Sequence, residues 1–509
     1  MPQPSPASAA TPFYVPSLIT RIVDGRVAAE GSGHQLPIVN PADESALTVL
    51  VEDDDAAVDE AVRSARAAFD TGPWPRLPLA TKRRIMGQVR DTILAHAEEL
   101  AYLDCLDTGI PLWDIRGRKM SRIADNFQFA MDIANTLSGE TYQQNEQYLT
   151  LVTHSPVGVA AILAPWNSPM SLASMQIAPC IAFGNTCVIK PSEFTPLSVF
   201  RLVQLMHEAG LPPGVVNLVN GRGTVTGAAL ASHPGIDLVK FTGGTATGKR
   251  IMAAASGGLK KVGLELGGKS ANIILEDANF DAALTGALLS IFSNNGQQCL
   301  AGSRILVQRP IADRFIAAFV ERVKQIKVGD PLAPDTEIGP MAFREHYERV
   351  LSYVDIARED GAQILVGGTR APGFDKGYYF LPTAVLAPDN QARVCRDEIF
   401  APFATFLIFD TEEEAITIAN DSDFGLVGYV WTQDVTKAMG ISQRINAGTI
   451  LINTSMVREV RAPFGGFKQS GIGRDGLRGT VEFFTEPRTT TIPLGPVTMR
   501  PIGTGQAPS

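Results

Sequence analysis

Val157-Gly-Val-Ala-Ala-Ile-Leu-Ala164, Cys187-Val-Ile-Lys190, Val215-Val-Asn-Leu-Val219 and Asp237-Leu-Val-Lys-Phe241 are short β-rich runs, each followed by a stretch of helix length. That alternation predicts βα units and a parallel sheet with crossover helices. The helix after Lys190 is framed by Thr195 as candidate N-cap, Pro196 at its first position and Gly210 just past its end. Sheets of this kind bind ligands at the carboxyl ends of their strands, where loops and helix N-termini gather, so the residues that follow each run are the candidates for chemistry.

Outward from this core, Asp54 to about Leu137 reads as a helical flank, with apolar positions recurring three and four apart at Ile93, His96, Ala97, Leu100, Leu103 and Leu106. From Asn279 a second α/β series begins: helix-like DAALTGALLSIFS, strand SRILVQ, helix ADRFIAAFVERVKQI, a helical stretch from Arg344 to Arg358, and strands GYVWT and GTILIN. The first and last ~15 residues are rich in Pro, Ser, Ala and Gly and read as mobile tails.

Composition narrows the function. A chain of 509 residues holds two to four domains at roughly 100 to 200 residues each. Its 44 Lys plus Arg against 53 Asp plus Glu give a net charge of −9, and no basic tract is present to neutralise phosphates, which argues against nucleic acid. The five cysteines form no C-x-x-C pair and the six histidines show no metal-ligand spacing, so a reduced compartment and no metal are expected. The beginning, MPQPSPASAATPF, lacks the pattern of a signal or transit peptide, and no run of about 18 apolar residues occurs. A cytoplasmic protein without a membrane span is the expectation.

The strand ends carry unusual blocks. They are Ala164-Pro-Trp-Asn-Ser-Pro169, Lys190-Pro-Ser-Glu193, Phe241-Thr-Gly-Gly-Thr-Ala-Thr-Gly-Lys249, Leu264-Glu-Leu-Gly-Gly-Lys-Ser270 and Asn294-Asn-Gly-Gln-Gln-Cys299, followed by Glu398-Ile-Phe-Ala-Pro402 and Pro463-Phe-Gly-Gly466. Cys299 follows a glycine and two glutamines, whereas Cys105, Cys180, Cys187 and Cys395 lie in apolar surroundings and read as small buried hydrophobes. Together and in this order, over nearly the whole chain, the blocks closely resemble the aldehyde dehydrogenase superfamily.

The resemblance implies an α/β fold: a Rossmann-type parallel-sheet cofactor domain (16–137 and 155–266), a second α/β catalytic domain (267–466) and a small β oligomerisation element (138–154 and 480–500). It implies that the Cys299 thiolate attacks an aldehyde carbon to give a thiohemiacetal, which passes hydride to a nicotinamide and leaves a thioester. Glu265 is implied as the base for hydrolysis, and the Asn167 amide with the Cys299 backbone N–H as oxyanion donors. The cofactor implied is NAD, because Glu193 beside Lys190 would accept both ribose hydroxyls and repel a 2′-phosphate. The other cofactor positions implied are Ala164, Pro165, Trp166, Ser192, Gly223, Gly243, Gly244, Thr247, Leu266, Gly267, Glu398 and Phe400. Gly244 stands where the family commonly has Ser, and Ala401 where Gly is usual.

For the substrate, VREVRAPFGG together with Ser121, Arg122, Asn126 and Phe127 looks like the hydroxymuconic and aminomuconic semialdehyde branch of that family. Arg458 and Arg122 could then grip a substrate carboxylate through paired hydrogen bonds. Against this stands the plainer reading in which Arg458 and Arg461 pair with Glu459 at the surface. Ser168, Leu172, Met175, Gln298, Leu300 and Phe464 are expected along the aldehyde tunnel. A general aromatic or aliphatic aldehyde dehydrogenase is the alternative, and a catalytically silent structural relative another. Gly263-Leu-Glu-Leu-Gly-Gly-Lys-Ser270 also spells a P-loop, the mark of an NTPase, but Ala271-Asn-Ile-Ile-Leu-Glu-Asp277 after it reads as strand rather than the helix a phosphate loop must open. The edge TTTIPL needs covering, so a homodimer or homotetramer is expected, with a small-molecule aldehyde as the other partner.

Overall fold

The computed structural model describes residues 12–31, 33–497, 499, 502 and 503. The expected amino-terminal tail up to residue 11 and most of the carboxy-terminal one lie outside them. Residues 12–15 depart from the expectation of a mobile tail: Phe13 and Val15 pack against the largest apolar core, and the Phe13 ring meets Tyr102 at 5.7 Å.

The four β-rich runs become β1 (Val159–Leu163), β2 (Thr186–Lys190), β3 (Val216–Leu218) and β4 (Leu238–Thr242), joined by β5 (Lys261–Glu265) in one parallel array. Every residue of β1 and β2 is buried, as befits strands covered on both faces. The order across the sheet is β5-β4-β1-β2-β3, extended at its edges by antiparallel Gly471–Ile472 beyond β5 and Ile22–Val23 beyond β3. The chain therefore runs outward from β1 in one direction and returns to the other side of β1 at β4. This reversal opens a crevice between the carboxyl ends of β1 and β4, the position such sheets use for a ligand.

A second sheet gathers β6 (Ala271–Ile274), β7 (Arg304–Gln308), β8 (Thr383–Leu386), β9 (Phe403–Phe409), β10 (Val427–Trp431) and β11 (Thr449–Ile452), all parallel, with antiparallel Gln363–Val366 at one edge. Glu140–Asn145, Tyr148–Pro156 and Thr485–Pro493 form a separate antiparallel sheet, in which eight of the nine residues of Thr485–Pro493 are exposed. Leu18–Ile19, Gln35–Val39 and Ala46–Val51 add a small sheet that the sequence reading did not contain.

The flank read as helical resolves into Asp55–Asp70, Leu79–Ala95, α1 (Ala97–Thr108) and α2 (Met120–Thr136). The apolar repeat from Ile93 to Leu106 spans two helices, because the backbone leaves helical geometry at His96 (φ −105°, ψ 19°). Three further helices matter to the site: α3 (Pro169–Ala182), α4 (Leu197–Glu208) and α5 (Thr245–Ser256). Thr195 does not cap α4. Its hydroxyl donates to the Trp166 carbonyl at 3.1 Å, and the Leu197 N–H at the start of α4 is taken at 2.9 Å by the Asp107 carboxylate at the end of α1.

Candidate active site

A cavity of about 700 Å³ opens at the β1/β4 crevice, a size usual for small-molecule sites. Ala164, Pro165, Trp166 and Asn167 enter it from the end of β1, and Lys190, Ser192 and Glu193 from the end of β2. Gly243, Gly244 and Thr247 enter from the turn between β4 and α5, and Leu266 and Gly267 from the end of β5. Gly223, Glu398 and Phe400 complete this set, so every cofactor position expected from the sequence lies on one wall or another.

The walls have the character a dinucleotide needs. Gly244 is the N-cap of α5 and supplies no side chain to it, so the first N–H groups of a twelve-residue helix are left for an anion. A Cβ added at Gly223 or Gly244 would meet nothing within 4 Å, which leaves the backbone open to close approach there. Glu193 accepts the Gly223 N–H at 3.1 Å and faces the Lys190 ammonium at 3.4 Å, while Lys190 also donates to the Gly221 carbonyl at 2.6 Å. An acidic acceptor is thus held at the end of β2, beside the crevice.

Asn167, Glu265 and Cys299 line the same cavity. Cys299 follows a tight loop in which Asn294, Asn295 and Gly296 all take left-handed backbone angles (φ 56°, 56° and 70°). Such angles are costly for residues with a side chain, and surrounding bonds offset the cost. Asn294 Nδ2 donates to the Asn167 carbonyl (2.9 Å) and the Gln297 carbonyl (3.0 Å), and Lys119 Nζ donates to Asn294 Oδ1 at 2.7 Å. Asn295 Nδ2 donates to the Gly109 and Pro340 carbonyls at 2.9 and 3.0 Å. At position 296 only glycine fits, since a Cβ would lie 2.2 Å from the Pro402 nitrogen. The Asn167 amide donates to the Gln297 carbonyl at 2.8 Å, which fixes it two residues from the thiol.

Burial dominates the electrostatics. It pushes the Cys299 thiol up to about 12, with the Glu398 and Glu265 carboxylates adding to the rise. It pushes Glu265 up to about 8, helped by the Asp475 carboxylate and opposed by Lys240, Arg458 and Arg474. Both Glu265 oxygens are buried without a hydrogen-bond partner in the protein. Burial thus holds both the Cys299 thiol and the Glu265 carboxyl toward their protonated forms at neutral pH.

On the substrate side the outcome is mixed. Leu172 lines the cavity. Met175 and Phe464 sit around Arg458, whose guanidinium lies 4.2 Å from the Phe464 ring centre, with one nitrogen 3.1 Å from the Met175 sulfur and Nε buried without an acceptor. Leu300 packs with Cys299 and Phe464 against Leu426, Val427 and Tyr429, its carbonyl taking the Tyr429 hydroxyl at 2.7 Å. The Ser168 hydroxyl faces Asn294 Oδ1 at 3.4 Å. Gln298 differs from expectation: its amide donates to the Ser290 carbonyl at 3.2 Å, turned into the core beneath the second sheet and away from the large cavity. Arg122 is half-buried in the first turn of α2, which packs on α3 through Asn126 and Ser174 (2.9 Å). The plainer reading of the arginines applies to Arg461, which pairs with Glu459 at 2.9 Å, but not to Arg458.

Several residues escaped the sequence reading. Phe194 stacks on Phe343 at 3.7 Å, and Trp166 packs against Phe343, His346 and Phe400 at 5.0 to 5.2 Å. Arg349 grips the carbonyls of Glu398 (2.7 Å) and Ile399 (2.9 Å), and His346 pairs with that of Phe400 at 2.9 Å, with burial holding the imidazole down at about 4 and so neutral. Behind Glu265, Lys240 pairs with Asp475 at 2.8 Å. The helical stretch that carries His346 and Arg349 was legible, its role not. The P-loop spelling runs from β5 directly into β6, and no helix opens after Ser270.

Among the described residues no helix is long and apolar enough to cross a membrane. The aldehyde dehydrogenase family model matches residues 27–490. The chain is 41% identical to 5-carboxymethyl-2-hydroxymuconate semialdehyde dehydrogenase of Escherichia coli, over 86% of this chain and 93% of that protein. It is 39% identical to betaine aldehyde dehydrogenase of Bacillus subtilis (strain 168), over 92% and 96%. Among solved structures, the NAD+ complex of an aldehyde dehydrogenase from Bacillus cereus is similar with a TM-score of 0.91 and 38% identity, over 94% of this chain and 97% of that one.

Proposed function

The chain belongs to the aldehyde dehydrogenase family, and from that premise we propose that it oxidises an acidic semialdehyde to the carboxylic acid with NAD. The cradle fits a dinucleotide: an uncapped helix N-terminus at Gly244, open glycine backbone at Gly223, and acceptors at Glu193 and Glu398. Glu193 would hold the adenosine ribose and Glu398 the nicotinamide ribose. The chemistry NAD supplies when bound is acceptance of a hydride.

The residues of the chain do the rest. Burial keeps the Cys299 thiol protonated at rest, so its proton must leave to solvent as sulfur attacks the carbonyl carbon, and Glu265 is kept for the hydrolysis that follows. The Asn167 amide and the Cys299 N–H stabilise the oxyanion that forms, before hydride loss and again when the thioester is hydrolysed. For hydrolysis Glu265 draws a proton from the attacking water and Cys299 departs.

The observation that carries the substrate class is Arg458. The two relatives named above act on aldehydes of opposite charge. A quaternary ammonium is held by open aromatic faces, yet here a guanidinium already lies on the face of Phe464. That guanidinium, with its Nε buried and lacking an acceptor, would repel a cationic aldehyde and gain most from a carboxylate. In the same reading residues 16–137 and 155–266 hold the cofactor, 267–466 carry the thiol, and the exposed strand Thr485–Pro493 joins subunits of a cytoplasmic homodimer or homotetramer.

The test is NADH formation by the purified protein with hydroxymuconic-type semialdehyde, betaine aldehyde and benzaldehyde, on wild type and Arg458→Leu. The expected result is a preference for the acidic semialdehyde of at least tenfold in kcat/KM, lost in the variant mainly through KM. Wild-type KM for that substrate in Arg458→Leu would remove Arg458 from recognition, and preference for a neutral aldehyde would leave a general aldehyde dehydrogenase.

A further inference from the structure

Lys269, the lysine of the P-loop spelling, has no part in the chemistry above, and its surroundings are unusual. It follows Gly268 in the turn from β5 to β6, is 2% exposed, and its ammonium has no hydrogen-bond partner in the protein. Burial pushes it down to about 8, with the neighbouring Arg304 guanidinium acting in the same direction and Cys395, Glu398 and Asp397 opposing. Leaving a buried cation without a partner is costly. Of the groups that act on it, Arg304 and Asp397 already have partners elsewhere. Arg304 donates to the Lys269 and Ile418 carbonyls and to Asn390, while Asp397 accepts the Tyr353 hydroxyl.

Lys269 faces a small void of about 10 Å³, close to the volume one water needs. Glu398 and Phe400 are the two residues that line both this void and the large cavity. Glu398 therefore stands between them. One of its oxygens accepts the Gly268 N–H at 2.9 Å, and its main chain is clamped by Arg349. The lysine thus stands behind the carboxylate, on the side away from the cofactor.

We infer that Lys269 is a positioning residue for Glu398: a water bound in the void links ammonium to carboxylate and holds Glu398 ionised and aimed at the cofactor's ribose. The inference rests on the reading of Glu398 as a ribose acceptor. It gives a physical reason for burying a lysine where an apolar residue would fold more cheaply.

The test is calorimetric titration of NAD into wild type, Lys269→Met, Lys269→Gln, Lys269→Arg and Glu398→Gln between pH 6 and 9.5. Burial holds Glu398 at about 7, with Gly268, Lys269 and Arg349 pulling it down from still higher. Loss of the ammonium should raise that midpoint. A rise of about one unit would cut the ionised fraction at pH 7 from half to roughly a tenth, about fivefold weaker binding in Lys269→Met and Lys269→Gln. The difference should vanish near pH 9.5, where Glu398 is ionised in every variant that keeps it and Lys269 has lost its proton. Lys269→Arg should follow wild type. A folded Lys269→Met with an unchanged pH profile, even with a lowered Tm, would overturn the inference and leave Lys269 a structural residue. Glu398→Gln separates the two readings: pH-independent weak binding supports Glu398 as acceptor, whereas wild-type affinity at pH 9 withdraws that role and this inference with it.

Discussion

Gly267 offers a direct trial of how tightly the cofactor wall is built. A Cβ placed on it would lie 2.1 Å from Glu398 Oε2 and 2.7 Å from Cδ, where ordinary contact begins at about 3.4 Å. In Gly267→Ala the carboxylate must therefore retreat by more than about 1 Å. It has little freedom to do so, being buried and clamped through its own carbonyl by Arg349. The 2.9 Å bond from the Gly268 N–H breaks, and a hydrogen bond to a charged group is worth about 1.5 to 3 kcal/mol. That bond also helps to hold Glu398 down at about 7, so the displaced group titrates higher and is more protonated at neutral pH. Converted at about 1.4 kcal/mol per tenfold, NAD binding should weaken about 10- to 100-fold at pH 7.5. Calorimetric titration measures this, with circular dichroism as the control for folding. The double variant Gly267→Ala, Glu398→Asp should recover part of the loss, because the shorter acid withdraws from the methyl group. Affinity within twofold of wild type in a folded Gly267→Ala, or no coupling in the double variant, would refute the claim that this glycine exists to let Glu398 approach.

Four further outcomes follow from the same geometry. Because Glu265 must be ionised to act and is pushed up to about 8, the steady rate of NADH formation should rise about tenfold per pH unit below 8 and level off above it; Glu265→Gln should give a burst of NADH followed by slow turnover. Asn167→Ala should lower kcat about 10²- to 10³-fold with little change in NAD affinity, measured by steady-state kinetics and calorimetry. Gly296→Ala should lower the Tm and slow alkylation of Cys299 by iodoacetamide, since a methyl group there would sit 2.2 Å from the Pro402 nitrogen at a left-handed backbone position. Arg458→Leu should raise KM for an acidic semialdehyde at least tenfold while leaving that for benzaldehyde near wild type.

What the sequence made legible is what local rules govern. Runs such as Val159–Leu163 are buried on both faces and so read as unbroken apolar strands, and glycine-rich blocks must stand at strand ends where backbone meets ligand. What escaped depends on distance along the chain. Asp475 reaches Glu265 because Gly471–Ile472 returns to pair with Leu264 and Glu265, a crossing that no local pattern announces. Phe343, His346 and Arg349 hold the Trp166 and Glu398 walls from the start of the helix Arg344–Glu359, 49 or more residues before Glu398 and well over a hundred after Trp166. Gln298 shows the converse error: neighbourhood in sequence to Cys299 suggested neighbourhood in the tunnel, but the tight turn before the thiol sends adjacent side chains to opposite sides.

The P-loop spelling makes the same point about Lys269. Followed by a helix, Gly-x-x-x-x-Gly-Lys-Ser would turn its backbone N–H groups and its lysine toward a phosphate. Here β6 follows, and the extended chain carries Lys269 into the interior, so that the Gly268 N–H and the ammonium lie on the side of one carboxylate, Glu398. The anion that accepts the Gly268 N–H, and that in the inference above faces the ammonium through a water, is part of the protein. In the proposed reading that anion in turn grips the neutral hydroxyls of a ribose, which makes cofactor binding depend on pH through Glu398 and Lys269 together.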